Sequence, residues 1–67
     1  MSVKRWVGEL PRTCDICSRA LTRGWVDGRT IRGPWANMCH ACHKRYGVGL
    51  GLGKGQQYNK EGIKVDG

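Results

Sequence analysis

Two Cys-x2-Cys pairs constrain this chain more than any other feature. Cys14-x2-Cys17 and Cys39-x2-Cys42 stand 21 residues apart. A turn of this type brings two sulfurs within reach of one tetrahedral ion, at about 2.3 Å each for zinc. Two such turns at this separation match a four-cysteine structural zinc site. Rival uses of four cysteines fit less well. Two disulfides need an oxidising compartment. A redox Cys-x-x-Cys needs a βαβ frame, for which a chain of 67 residues has no length. Iron also accepts tetrahedral sulfur. His40 lies within the second pair and His43 follows it, and each could replace a sulfur. The simpler assignment takes Cys14, Cys17, Cys39 and Cys42 as the ligands of one Zn²⁺ and leaves the histidines to polar or partner contacts.

Size and composition explain why a metal is needed. A chain of this length buries only about 60% of its unfolded surface, so its apolar core is marginal. Here only 39% of residues are hydrophobic, Phe is absent and eleven residues are Gly. Small folds of that composition lean on disulfides or a metal. No run approaches the roughly 20 apolar residues of a membrane span. The opening MSVKRWVGELPR lacks the apolar segment of a secretory signal, so a reducing cytoplasm is expected. An enzyme with a roomy substrate cleft is excluded by size.

Twelve Lys and Arg against five Asp and Glu give a net charge of +7. Four thiolates and one divalent ion would lower this to +5. A basic domain of this size suggests an anionic partner, most often nucleic acid.

Three segments follow from the pattern: a basic arm over 1–13, the four-cysteine domain over 14–47, and a Gly-rich, polar segment over 48–67. In the arm, Lys4-Arg5-Trp6-Val7 can form a short strand, with Trp6 capping the core. Residues 21–33 predict a β-hairpin turning at Asp27-Gly28, because Asp-Gly supplies the positive φ angles of a tight turn. Gly33-Pro34 then breaks the strand. A short helix is predicted from Met38 or Cys39 to Tyr46, with Asn37 as N-cap and Gly47 as its stop. Two turns are too few for a helix to stand alone, so ligation of Cys39 and Cys42 must hold it. Residues 47–55 read GVGLGLGKG, which fits a strand or a packed loop equally. The run does not match a phosphate loop, since Val48 and Gly55 stand where Gly and Ser or Thr are required. Residues 56–67 are expected to fray.

Knuckle, hairpin, then a second Cys-x-x-Cys at a helix start resembles a treble-clef zinc finger. The expected fold is thus a small metal-stabilised α+β domain with a Gly-rich C-terminal segment. Within that class, Trp25 and the run Met38-Cys39-His40-Ala41-Cys42 are similar to GATA-type fingers. Val26-Asp27, Asn37 and Cys39-His40-Ala41-Cys42-His43-Lys44 are similar to HNH nucleases with structural zinc. Gly28 stands where that family places its general-base histidine, so the resemblance implies the architecture and not the hydrolysis. The segments GPWANMC and GVGLGLGKGQ resemble small phage or prophage proteins, which implies the host cytoplasm as a setting.

The functional expectation is a non-enzymatic nucleic-acid-binding module, with DNA ahead of RNA. Arg19, Arg23, Arg29, Arg32, Lys44, Arg45 and Lys54 are the candidate phosphate contacts. Trp25 or Trp35 could stack on an unpaired base, although a core without Phe claims both first. An adaptor for an acidic host protein is the alternative, with Val48, Leu50 and Leu52 as an apolar docking strip. A metal-dependent nuclease is the third reading, and it lacks its base.

Overall fold

A computed structural model of the chain describes residues 4–67. It is a small α+β unit. Strands β1 (Trp25–Arg29) and β2 (Trp35–Met38) lead into helix α1 (His40–Tyr46), and β3 (Gly55–Tyr58) and β4 (Lys64–Asp66) follow. The four strands form one antiparallel sheet in the order β2-β1-β3-β4. No helix among the described residues is long and apolar enough to cross a membrane.

β1 is the inner strand on which the rest is built, and this corrects the expected hairpin. Asp27-Gly28 is no turn. Asp27 pairs with Asn37 on one side and Gln56 on the other, and Gly28 pairs with Ala36 and Gly55. The reason for Gly28 is close approach rather than dihedral freedom. A Cβ there would meet the Lys54 carbonyl oxygen at 3.1 Å and the Gly55 Cα at 3.4 Å. The reversal between β1 and β2 falls instead at residues 30–34. Thr30 closes it by donating through both its N–H and its hydroxyl to the Pro34 carbonyl, at 3.0 and 2.8 Å. Gly33 supplies the left-handed residue, with φ +107°. Ile31 N–H donates to the Tyr46 carbonyl at 2.7 Å, tying this turn to the end of α1.

The C-terminal residues do not fray. β3 pairs with β1 from Trp25↔Tyr58 to Gly28↔Gly55, and β4 extends the sheet. The link between them is an Asx-type turn: Asn59 Oδ1 accepts from the Glu61 and Ile63 N–H groups, at 3.0 Å each. Among the described residues the arm contributes two isolated bridges, Arg5↔Ile63 and Thr13↔Ala20, rather than a strand. Residues 47–54 form a loop, not a strand. Gly49, Gly51 and Gly53 all have positive φ, so no period-two face exists, and Leu52 stands fully exposed at the tip.

The helix ends at Tyr46 as expected but starts at His40, with Cys39 rather than Asn37 as its N-cap. Asn37 stays in β2, where its N–H donates to Asp15 Oδ2 at 2.8 Å. Gly47 leaves the helix in extended backbone, with φ −77° and ψ 164°, and is glycine for a steric reason. A Cβ there would collide with the ring and carbonyl of His43.

Cys14, Leu21, Trp25, Met38 and Cys42 form the buried core cluster, with Trp6, Ala36, Cys39, Tyr46 and Tyr58 packed on it, and Val26 is buried as well. Trp25 stacks on Tyr58 with centroids 5.3 Å apart, and Trp6 meets both edge-on at 5.5 and 5.4 Å. Aromatic contacts of this kind contribute about 0.5–1.5 kcal/mol beyond area burial. This trio fills the aromatic share of the core. Trp35, expected there too, is left 47% exposed at the start of the edge strand.

Candidate metal centre

Three elements deliver the four cysteines to one point. Cys14 opens a turn over residues 15–17 that carries Cys17. The turn is closed by Ser18 N–H donating to the Cys14 carbonyl and Cys14 N–H to the Arg19 carbonyl, at 2.9 and 2.8 Å. Ser18 holds a φ of +64°, the only positive value at a non-glycine among the described residues. β2 and the start of α1 supply Cys39 as the N-cap and Cys42 in the first helical turn. Asp15 clamps the two halves together: its N–H donates to the Asn37 carbonyl at 2.9 Å while its carboxylate accepts from the Asn37 N–H.

The four Sγ atoms lie within 4.8 Å of one another. Cys17 and Cys39 sulfurs are 3.7 Å apart. Tetrahedral ligation at about 2.3 Å sets sulfurs roughly 3.8 Å apart, so this spacing fits one ion. A disulfide would hold sulfurs at about 2.0 Å, and all four cysteines are free. Burial is graded: Cys14 and Cys42 are buried in the core itself, Cys39 is half-buried and Cys17 is exposed. The site can therefore hold a metal ion at the rim of the core, with one edge open to solvent.

Electrostatics prepare the two buried thiols differently. Burial works against a charged Cys14, but backbone N–H groups of Cys17, Cys39 and Ile16 outweigh it and bring the thiol down to about 6. The Ile16 N–H lies 3.4 Å from Cys14 Sγ. Cys42 has no such donors. Its burial, together with its place among the other three thiols, pushes it up to about 12. Metal binding requires thiolates, so Cys42 must surrender a proton when the ion enters.

Neither histidine belongs to the cluster. His43 Nε2 lies 3.1 Å from the Gly49 carbonyl and must carry the proton to donate to it, pinning the glycine loop to α1. His40 is exposed, with Nε2 3.4 Å from the Arg23 carbonyl. The residues that resemble the HNH pattern are also committed to the fold. Asp27 and Asn37 are cross-strand partners, and Gly28 lies flat against Gly55. The Asp27 carboxyl is held above its ordinary range by burial first and by the Asp15 charge second.

All seven candidate phosphate contacts are exposed. None takes part in the one ion pair among the described residues, Arg12–Glu9 at 3.9 Å. Arg19, Lys44 and Arg45 meet in a groove of about 470 Å³ beside Cys17 and Cys39. Arg32 rims a second groove of about 340 Å³, which shares Ile16 and Tyr46 with the first. Arg29 and Lys54 are neighbours elsewhere, joined by an N–H to carbonyl bond of 2.8 Å, and Arg23 stands apart beside His40. The second groove, lined by Ile31, Pro34 and Trp35, was not legible in the sequence as a site. The signal that could have shown it is an apolar Ile-x-x-Pro-Trp run around a turn glycine. Comparison with known protein families, characterised proteins and solved structures returned no match to this chain.

Proposed function

We propose that the chain is a zinc-loaded, treble-clef-like module that binds nucleic acid, DNA ahead of RNA, and carries out no chemistry on it. The observation that supports this most is the adjoining pair of grooves beside the cysteine cluster. Four unpaired cations (Arg19, Arg32, Lys44 and Arg45) surround them and no carboxylate lines either one. Cations without protein partners, gathered on one surface, are the electrostatic footprint of a phosphate ligand. Zinc is the ion we assign, because an all-thiolate tetrahedral site in a small reducing-compartment fold is its ordinary use. The order of knuckle, hairpin and ligated helix supports the treble-clef reading, and a phage or prophage setting is the one its sequence resembles.

The test is fluorescence anisotropy of labelled duplex DNA, single-stranded DNA and RNA with the zinc-loaded protein across a salt series. The expected result is about micromolar or tighter binding near 150 mM salt that weakens steeply as salt rises. Binding seen only at low salt would overturn the reading. A second reading, an adaptor for an acidic host protein, draws on the exposure of Ile31 and Trp35 at 66% and 47%.

A further inference from the structure

The groove beside the β1–β2 turn has apolar walls, of which the nucleic-acid reading uses only the cations around it. Its walls are Ile31 and Pro34 from the turn, Trp35 from β2, and Ile16 and Tyr46 from the knuckle and helix. Trp35 and Ile31 are largely exposed, yet the turn beneath them is held firmly. Thr30 bonds Pro34 twice, Gly33 N–H donates to the Thr30 carbonyl at 2.9 Å, and Ile31 N–H is anchored on Tyr46. A flat aromatic face is thus presented on a preformed support rather than on a mobile loop. Arg32 stands at one rim. On the far side of the shared residues Ile16 and Tyr46 lie Arg19, Lys44 and Arg45.

We propose that this groove takes an unpaired nucleobase stacked on Trp35, with the flanking phosphates on Arg32 and on the Arg19, Lys44 and Arg45 cluster. The ligand class is single-stranded nucleic acid, and the inference rests on the nucleic-acid reading above. Charge complementarity selects this occupant: cations bracket an apolar slot, as phosphates bracket a base, and no acidic residue lines it. A peptide strand added to the sheet is disfavoured by the same surface. At Asn37 the outer edge of β2 is already occupied by Asp15, which bonds both the N–H and the carbonyl of that residue. In a duplex the bases are paired within the stack and cannot reach Trp35.

The experiment compares wild type, Trp35→Ala, Trp35→Phe and a Lys44→Ala/Arg45→Ala double variant, all metal-loaded. The probes are labelled twelve-nucleotide oligothymidylate, a blunt duplex of equal length, and a peptide of alternating Glu and Leu. Wild type should prefer the oligothymidylate, which should quench tryptophan emission. Trp35→Ala should weaken that binding by about 5- to 150-fold, the range for one stacked base, while duplex binding is unchanged. Trp35→Phe should restore most of the loss. The double variant should lower the single-strand salt slope by about 1.4, at roughly 0.7 per phosphate contact. Salt-dependent binding that Trp35→Ala leaves unaltered overturns this inference and leaves the nucleic-acid reading standing. Absence of binding to either nucleic acid near 150 mM salt overturns both. Trp35-dependent capture of the acidic peptide in place of oligothymidylate overturns both in favour of the adaptor.

Discussion

Replacing Gly24 by alanine tests whether the C-terminal strands are part of the structural unit or an appendage. Gly24 precedes β1 and is buried, with φ at +93°. An alanine in a left-handed conformation costs about 1–2 kcal/mol. At this site a Cβ also collides with the Tyr58 carbonyl oxygen and reaches Asn59 Cα and C at 3.0 and 3.1 Å. These are backbone atoms at the end of β3, so the collision is relieved only by parting β3 from β1 at the Trp25↔Tyr58 pair. Loosening the Trp25–Tyr58 stack would cost about 0.5–1.5 kcal/mol more. The total is about 1.5–3.5 kcal/mol. Gly33→Ala is the control, because Gly33 has a φ of +107° with nothing within 4 Å of its Cβ position. It should carry the dihedral cost alone. Thermal unfolding of the metal-loaded protein should place Gly24→Ala below Gly33→Ala by roughly 2–12 °C, at about 4–8 °C per kcal/mol for a domain of this size. Limited proteolysis should cut Gly24→Ala first within 59–62. Equal melting temperatures for the two variants would refute the packing of β3 on β1.

Other expectations follow from the metal site and its surroundings. Cys17→Ser lies at an exposed position, where a residue outside the site would cost within about 0.5 kcal/mol. As a ligand it should instead lower metal affinity by at least about 100-fold, measured by competition with a chromophoric chelator. His43→Ala should leave that affinity within a few-fold and cost about 0.5–1.5 kcal/mol of stability through the lost bond to Gly49. Metal affinity should rise with pH. Cys42, held near about 12, must lose a proton on loading and so contributes about one decade per pH unit around neutrality. Each cysteine that enters as a thiolate adds to that slope, which pH-dependent competition titrations read. Asp27 is the opposite case to a salt-bridged acid. Its raised folded pKa means that its contribution to stability is present below the ordinary carboxylate range and is lost as pH rises through the folded value. Asp27→Asn should therefore melt higher than wild type at pH 7, with the gap closing by about pH 3.

The parts of this fold that were legible in the sequence are those set by short-range chemistry. The cysteine spacing, the helix ending at Tyr46 and the stop at Gly47 depend on neighbours within a few positions. What was not legible depends on partners far along the chain. Asp27-Gly28 reads as a turn locally, yet Gly28 is glycine because Gly55 and Lys54 lie against it. The true turn is fixed by Thr30 and by a bond to Tyr46, which the local pattern does not reveal. Gln56-Gln57-Tyr58 is too polar to announce a strand. It becomes one because β1 offers a free edge and Tyr58 stacks on Trp25. The Asn59 to Gly62 turn was a local signal and could have been read. The metal ligands were read from spacing alone, and the four cysteines do converge. The basic residues were not separable by sequence, because only the fold gathers Arg19, Arg32, Lys44 and Arg45 and leaves Arg23, Arg29 and Lys54 elsewhere.

The account rests on a metal ion completing the core, since Cys14 and Cys42 are themselves core residues. The most direct measurement is an amide correlation spectrum of the reduced protein with one equivalent of zinc and again after stoichiometric removal by chelator. The expected result is a dispersed spectrum with metal, collapse to unfolded shifts without it, and recovery on adding zinc back. A dispersed spectrum in the reduced, metal-free protein would contradict it.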